Sequence, residues 1–229
     1  MSPIRLWDKA SADRVDHYLA NSQFVAKRIK KYYRKDAMVI HPPVNVDHFY
    51  IASPADRKPY YLMVGRLIAY KRHDIAIEAF NRLKLPLKII GRGPELERLK
   101  KLAGPTIEFL GRVSEDELPR YYAECRGFVF PQEEDFGIVA IEAMASGRPL
   151  VAYRGGDIVE HMEEGTMGVY FDEQTPEAIV KALTDFDEQH YDAQAIRQRA
   201  LRFDKTQFKA TIQNYVTAAL DEHVHGRRR

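Results

Sequence analysis

Four short apolar runs in this chain stop at a glycine or proline: Val64-Gly65, Ile90-Gly91, Leu110-Gly111 and Phe130-Pro131. Runs at 37–40, 60–64, 87–90, 107–110, 128–130, 150–152 and 169–171 read as strands. Helical patterns fall at 71–83, 95–102, 115–124, 137–146, 157–163 and 176–185. Hairpin signals are few. Such alternation predicts an α/β fold, a Rossmann-like parallel sheet with helices on both faces. Ligands of these sheets bind beyond the carboxyl ends of the strands, the edge that the Gly65, Gly91, Gly111 and Pro131 loops would share.

The two ends of the chain read differently. Residues 16–22 look like a strand and 23–33 like a basic helix, ahead of the alternating pattern. Residues 193–223 read as mostly helical, and the terminal arginines as a solvated end. This divides the chain into a first segment, 1–35, and a ligand-binding domain, 36–229, that includes the C-terminal helices.

Composition narrows the function. A formal net charge of +2 over 229 residues gives no global attraction to nucleic acid or to an anionic membrane. No run approaches the roughly 20 apolar residues of a membrane span, and no leader pattern follows Met1, so a cytoplasmic protein is expected. Cys125, the single cysteine, excludes an internal disulfide and a cysteine metal cluster.

The chemistry concentrates between Pro131 and Gly147. Glu134 and Glu142 flank a Phe136-Gly137 turn that opens the apolar helix Ile138-Val-Ala-Ile-Glu-Ala-Met-Ala145. A helix start gathers anions through its free N–H groups and partial positive charge. Carboxylates before and after it reach hydroxyls on either side of a bound phosphate, which suits a sugar nucleotide. Glu142 on a helix apolar nearly all round is costly unless bonded. It is either a structural ion pair or a ligand to hydroxyls, and the spacing favours the ligand. Glu134, within an acidic run, is equally a solvated side chain.

A second constellation is Val64-Gly-Arg-Leu-Ile-Ala-Tyr-Lys-Arg-His73. Lys71 opens a helix, where the dipole is already positive, so an anion beside it explains its position. Arg66 and Lys71 next to a pyrophosphate would stabilise charge on a departing nucleoside diphosphate. Gly91-Arg-Gly-Pro-Glu-Leu96 fails as a dinucleotide fingerprint, since Leu96 stands at the third glycine position and Pro94 starts the helix. A nicotinamide dehydrogenase is therefore set aside. Gly155-Gly156 reads as an ordinary turn and His73 as a surface helix position.

In order along the chain, Val44-Asn-Val-Asp-His-Phe49, Val64-Gly-Arg…Lys71, Ile90-Gly-Arg-Gly-Pro94, Phe109-Leu-Gly-Arg112, Glu134-Asp-Phe-Gly…Glu142-Ala-Met-Ala and Gly147-Arg-Pro resemble the retaining GT-B glycosyltransferases of family 4, glycosyl transferase group 1. The resemblance implies the nucleotide-sugar-binding C-terminal half of such an enzyme. It assigns Arg66 and Lys71 to the diphosphate, Glu142 to the ribose and Glu134 to the donor sugar. The amides of Phe136, Gly137, Ile138 and Val139 would face sugar and phosphate, with Gly111 and Arg112 by the base. No metal and no cofactor is implied, since the two cations do a metal's work; the donor is a substrate. His41-Pro-Pro-Val44 resembles the turn of mannosyltransferases, making GDP-mannose the first donor expectation. A glycan or lipid-linked glycan would be the acceptor, at the cytoplasmic face of a membrane in the lipid-linked case.

Two departures from the family matter. Lys71-Arg72 stands where Lys-Gly is common, so that loop is expected to be less permissive. Residues 1–35 resemble only the last strand and helix of the acceptor-binding N-terminal domain. The chain is thus expected to bind donor and transfer poorly by itself, to need that domain or a companion chain, and to self-associate through the surfaces left uncovered. A non-catalytic nucleotide-sugar-binding subunit and a nucleotide-sugar epimerase are the rival readings.

Overall fold

The computed structural model describes residues 2–226 and divides the chain into two compact units, 1–43 with 205–229 and 44–204. The basic end at 227–229 lies outside the described residues.

The first unit opens with α1 (Pro3–Ala12), β1 (Leu19–Ala20), α2 (Gln23–Tyr33) and β2 (Met38–Val39). Ser22 caps α2 by accepting a 3.1 Å hydrogen bond from the Val25 amide, and Arg34 ends it in the left-handed conformation. β1 and β2 form a separate parallel pair. Residues 37–40 therefore do not start the main sheet, as the alternation suggested. The unit leaves Ile4, Leu6 and Trp7 exposed.

The second unit holds β3 (Tyr61–Val64), α3 (His73–Leu83), β4 (Leu87–Ile90), α4 (Leu96–Leu102), β5 (Ile107–Gly111), α5 (Leu118–Glu124) and β6 (Phe128–Phe130). It continues with α6 (Ile138–Ala145), β7 (Leu150–Tyr153), β8 (Gly168–Phe171), α7 (Pro176–Thr184) and α8 (Ala193–Ala200). All six strands run parallel in the order β5-β4-β3-β6-β7-β8. The α/β expectation holds.

The two-residue period of a strand explains the two cores. Leu62, Phe128, Phe130, Leu150 and Ala152 face α5, α6 and α8; Tyr61, Met63, Val129 and Val151 face α3, α4 and α7. α6 is apolar almost all round because it packs against α8 as well as the sheet.

Two predicted helices differ. Residues 157–163 form only a short 3-10 turn, Ile158–Glu160. Glycines 156 and 165, both at positive φ, bound too short a run to propagate a helix. The 193–223 stretch breaks at Asp204, whose backbone turns extended; α9 (Lys205–Gly226) then belongs to the first unit. The Val44 amide donates to Phe203 O at 2.8 Å, closing the second unit at its own ends. The compact division thus departs from 1–35 and 36–229 at both borders.

Candidate functional site

β3 lies beside β4 on one side and β6 on the other, so the strand order reverses between β3 and β6. At such a switch point the loops leaving neighbouring strands part and open a crevice. Here the loops are those starting at Gly65 and Pro131.

Backbone contacts fix the loops on the β3 side. The Gly65 amide donates to Ile90 O at 3.0 Å and the Gly91 amide to Gly111 O at 2.7 Å. Leu67 N bonds Arg92 O at 3.0 Å, and Glu95 N bonds Leu67 O at 3.1 Å. Only glycine fits at 91: with φ near +150°, a Cβ there would stand 1.8 Å from Gly65 O. The tightness leaves a cavity of about 480 Å³ lined by Gly65, Arg66, Gly91, Arg92, Arg112 and Val113. Three cationic side chains and an apolar wall suit a planar base attached to phosphate. Gly111 spends its carbonyl on Gly91. A second crevice, about 520 Å³ beside β8 and α7, is lined by Asp172, Glu173 and Glu177 and would repel a polyanion.

Lys71 and Glu134 form an ion pair with each other, in a position where 14% and 15% of the side chains are exposed. Arg72, next in sequence, adopts φ 53°, ψ 37°. This is the conformation a glycine would take freely, and it costs another residue about 1 kcal/mol. Its side chain gives something back: Nη2 donates to Gln174 O at 3.2 Å, and Nε sits 3.4 Å from Asp74 Oδ1. His73 is buried rather than on a helix surface. Burial, and then the Lys71 charge, push its pKa down to about 4, so its ring is neutral at physiological pH.

Glu142 accepts a 2.8 Å hydrogen bond from the Tyr122 hydroxyl through Oε2. Burial raises its pKa, and the Tyr122 bond followed by the His48 charge oppose that rise without cancelling it. No ion pair holds Glu142 among the described residues, so the structural-salt-bridge alternative is not realised.

The turn between Glu134 and α6 is held from behind by Asp157. Its Oδ2 accepts from the Gly137 amide at 3.1 Å, while its own amide donates to Glu134 O at 3.1 Å. The Ile138 amide donates to Phe136 O at 3.0 Å. Of the four amides expected to face sugar and phosphate, those of Gly137 and Ile138 are thus engaged within the protein. Phe136 is buried against His161 and Phe203, and Val139 is half-buried against the core. Arg202 Nη2 donates to His161 Nδ1 at 2.7 Å, leaving Nε2 facing Asp157 Oδ2 at 3.4 Å.

Tyr122, Asp157 and the His161–Arg202 contact were invisible to motif reading. The Gly155-Gly156 turn was the one signal near them. A Cβ on Gly156 would meet Glu134 O at 2.5 Å, so that turn is a close backbone approach rather than an ordinary bend.

The sequence profile of the family described as glycosyl transferases group 1 matches residues 47–203. The chain belongs to that family. The match coincides with the second compact unit. An uncharacterized glycosyltransferase of Methanocaldococcus jannaschii is 26% identical over 186 residues, covering 79% of this chain and 52% of the relative. A GDP-mannose-dependent alpha-(1-6)-phosphatidylinositol monomannoside mannosyltransferase of Mycolicibacterium smegmatis is 27% identical over 239 residues, covering 90% of this chain and 61% of the relative. The group 1 chain thus spans little more than half the length of these relatives. The sucrose-phosphate synthase of Thermosynechococcus elongatus shares the GT-B fold with a TM-score of 0.84 at 22% identity, over 95% of this chain and 61% of that one. Among the described residues no group of three or more His, Cys, Asp or Glu side chains is placed to hold a metal ion. Nor is any helix among them long and apolar enough to cross a membrane.

Proposed function

We propose that the second unit binds the nucleoside diphosphate sugar for retaining transfer of a hexose to a glycan or lipid-linked glycan acceptor. The observation that carries this reading is the β3/β6 switch point. There the Lys71–Glu134 pair joins the loops that leave the two strands, and a cationic cavity with an apolar wall opens next to it between the loops that leave β3, β4 and β5. The base would enter the cavity beside Gly111 and Arg112. Arg66 would meet the diphosphate. Lys71 would exchange part of its contact with Glu134 for phosphate oxygens, and Glu134 would turn to hydroxyls of the donor sugar. Glu142 would accept from ribose hydroxyls through Oε1, its other oxygen being committed to Tyr122.

As the glycosidic bond to the diphosphate breaks, charge grows on the leaving phosphate. Fixed cations at Arg66 and Lys71 lower the energy of that state more than that of the bound donor. No step calls for a metal. Mannose is our first donor assignment, supported by the His41-Pro-Pro-Val44 turn and the mannosyltransferase relative. Orientation of the acceptor and exclusion of water supply much of the rate in such a transfer. The chain by itself would therefore bind donor and transfer slowly, and an acceptor-binding domain or companion chain would restore the rate.

Calorimetric titration with GDP, UDP, GDP-mannose and UDP-glucose tests this reading. One nucleotide family should bind, and Glu142→Ala and Arg66→Ala should each lose that binding. A folded protein that binds none of the four would overturn it.

A further inference from the structure

The amino ends of the strands carry a second convergence of charge, unrelated to the loops of the site above. Arg57 and Lys58 precede β3, Arg126 precedes β6 and Arg148 precedes β7. These three strands are parallel and adjacent, so the four cations share the sheet edge opposite the switch-point loops. A cavity of about 380 Å³ is lined there by Arg57, Lys58, Pro59, Arg126 and Glu188.

Two of the cations have carboxylate partners. Arg126 Nη2 donates to Glu188 Oε2 at 2.6 Å, and Lys58 Nζ sits 3.0 Å from Glu124 Oε2. The other two have none among the described residues. Arg148 is 1% exposed, and its guanidinium reaches only the Ser146 and Cys125 carbonyls, at 3.2 and 3.4 Å. The Nε atoms of Arg57 and Arg126 are buried and have no hydrogen-bond partner among the described residues. A buried N–H without an acceptor is costly, and more so on a cation. Burial, and then repulsion from Arg57, push the Arg148 pKa down to about 10, with the Cys125 and Glu188 charges opposing that shift only in part. An anion between the guanidinium groups would remove both penalties.

We propose that this cavity binds a phosphate dianion, as inorganic phosphate or as the head of a small phosphomonoester, held by Arg57 and Arg126. A dianion with several acceptor oxygens can take two bonds from the Arg57 fork and one from Arg126 Nε, while Arg126 Nη2 keeps its bond to Glu188. The cavity leaves room beyond the phosphate for a small organic group. Buried Arg148 acts on the anion through its charge.

The experiment is calorimetric titration of the whole chain with inorganic phosphate, with ionic strength held constant by chloride. Saturable binding is expected, weakened at least about ten-fold in Arg57→Gln and less in Arg57→Lys. It should remain at wild-type strength in Arg66→Ala, because Arg66 lies at the other edge of the sheet. Glucose 6-phosphate should compete with phosphate, and saturating GDP should not. A second arm uses phosphatidylcholine vesicles containing phosphatidate. Co-sedimentation of the wild type that Arg57→Gln loses would assign the same phosphate chemistry to a lipid head group. No saturable phosphate binding and no such co-sedimentation by the wild type would overturn the proposal. So would phosphate binding that Arg66→Ala loses and Arg57→Gln keeps, since the anion would then be read by the donor site.

Discussion

Tyr122 donates its phenolic hydrogen to Glu142 at 2.8 Å from within the core, joining α5 to α6 behind the candidate ribose site. This bond restrains a carboxylate whose pKa burial still leaves above the ordinary value. A carboxyl group with a raised folded-state pKa favours the fold at low pH. That contribution is fully present below the unfolded pKa and is lost as pH rises through the folded one. Glu142→Gln should therefore raise the melting temperature at neutral pH and flatten the loss of stability above the acid range. It should also weaken nucleoside diphosphate binding at least about ten-fold. Tyr122→Phe should do the reverse to stability, costing about 1–2 kcal/mol. A Glu142→Gln protein that melts at or below the wild-type temperature would contradict this account.

Lys71 and Glu134 are each other's partners, and both are mostly withdrawn from water. Removing one leaves the other charge poorly solvated, at about 2–3 kcal/mol, a figure discounted for their residual exposure. Removing both leaves neither. Lys71→Ala and Glu134→Gln should each destabilise, and the double variant should cost at least about 1 kcal/mol less than their sum. Denaturant unfolding of the four proteins measures the coupling, and additive effects would show that the pair contributes nothing to the fold.

Gly156 and Gly165 make a controlled comparison. Both have positive φ, +74° and +81°, but a Cβ at 156 would strike Glu134 O at 2.5 Å, whereas at 165 nothing lies within 4 Å. Each alanine should lose about 1 kcal/mol to backbone strain. Gly156→Ala must in addition displace the Glu134 backbone, and with it the carboxylate proposed to hold the sugar. Affinity for the nucleotide sugar should fall relative to the bare nucleotide in Gly156→Ala and hold in Gly165→Ala. Equal ratios in the two variants would place the donor sugar away from Glu134.

The parallel sheet was readable because four of its six strands are short, mainly apolar runs closed by glycine or proline, and strand order then puts the Gly65 and Pro131 loops at one crevice. Arg72 shows motif reading at its most specific. An arginine where glycine is common does take the left-handed backbone that glycine would supply, held by Gln174, more than 100 residues away. What escaped was the layer behind the motifs. Tyr122 belonged to no motif and Asp157 looked like the start of a helix, because the partner of each is 20 residues distant in sequence. No local periodicity encodes such a contact. The same holds for His73, whose helical position said surface while the fold buries it.

Cys125 offers a direct probe of opening. Its thiol is fully buried and donates to Tyr122 O at 3.2 Å, while its carbonyl accepts from Arg148. Burial pushes the thiol pKa up to about 12, outweighing the lowering by Arg148. The thiolate is the reactive form, so the folded protein should be nearly inert to an aromatic disulfide reagent at pH 8 and react at once in denaturant. Any slow native labelling then reports opening of the layer between α5 and the sheet. A ligand that binds only the closed form slows that labelling by a factor of 1 + [L]/Kd. Inorganic phosphate and the preferred nucleoside diphosphate should each protect the thiol, and their effects should multiply when both are present, because the two sites lie at opposite edges of one sheet. Fast labelling of the native protein would mean that this core opens far more readily than its packing implies.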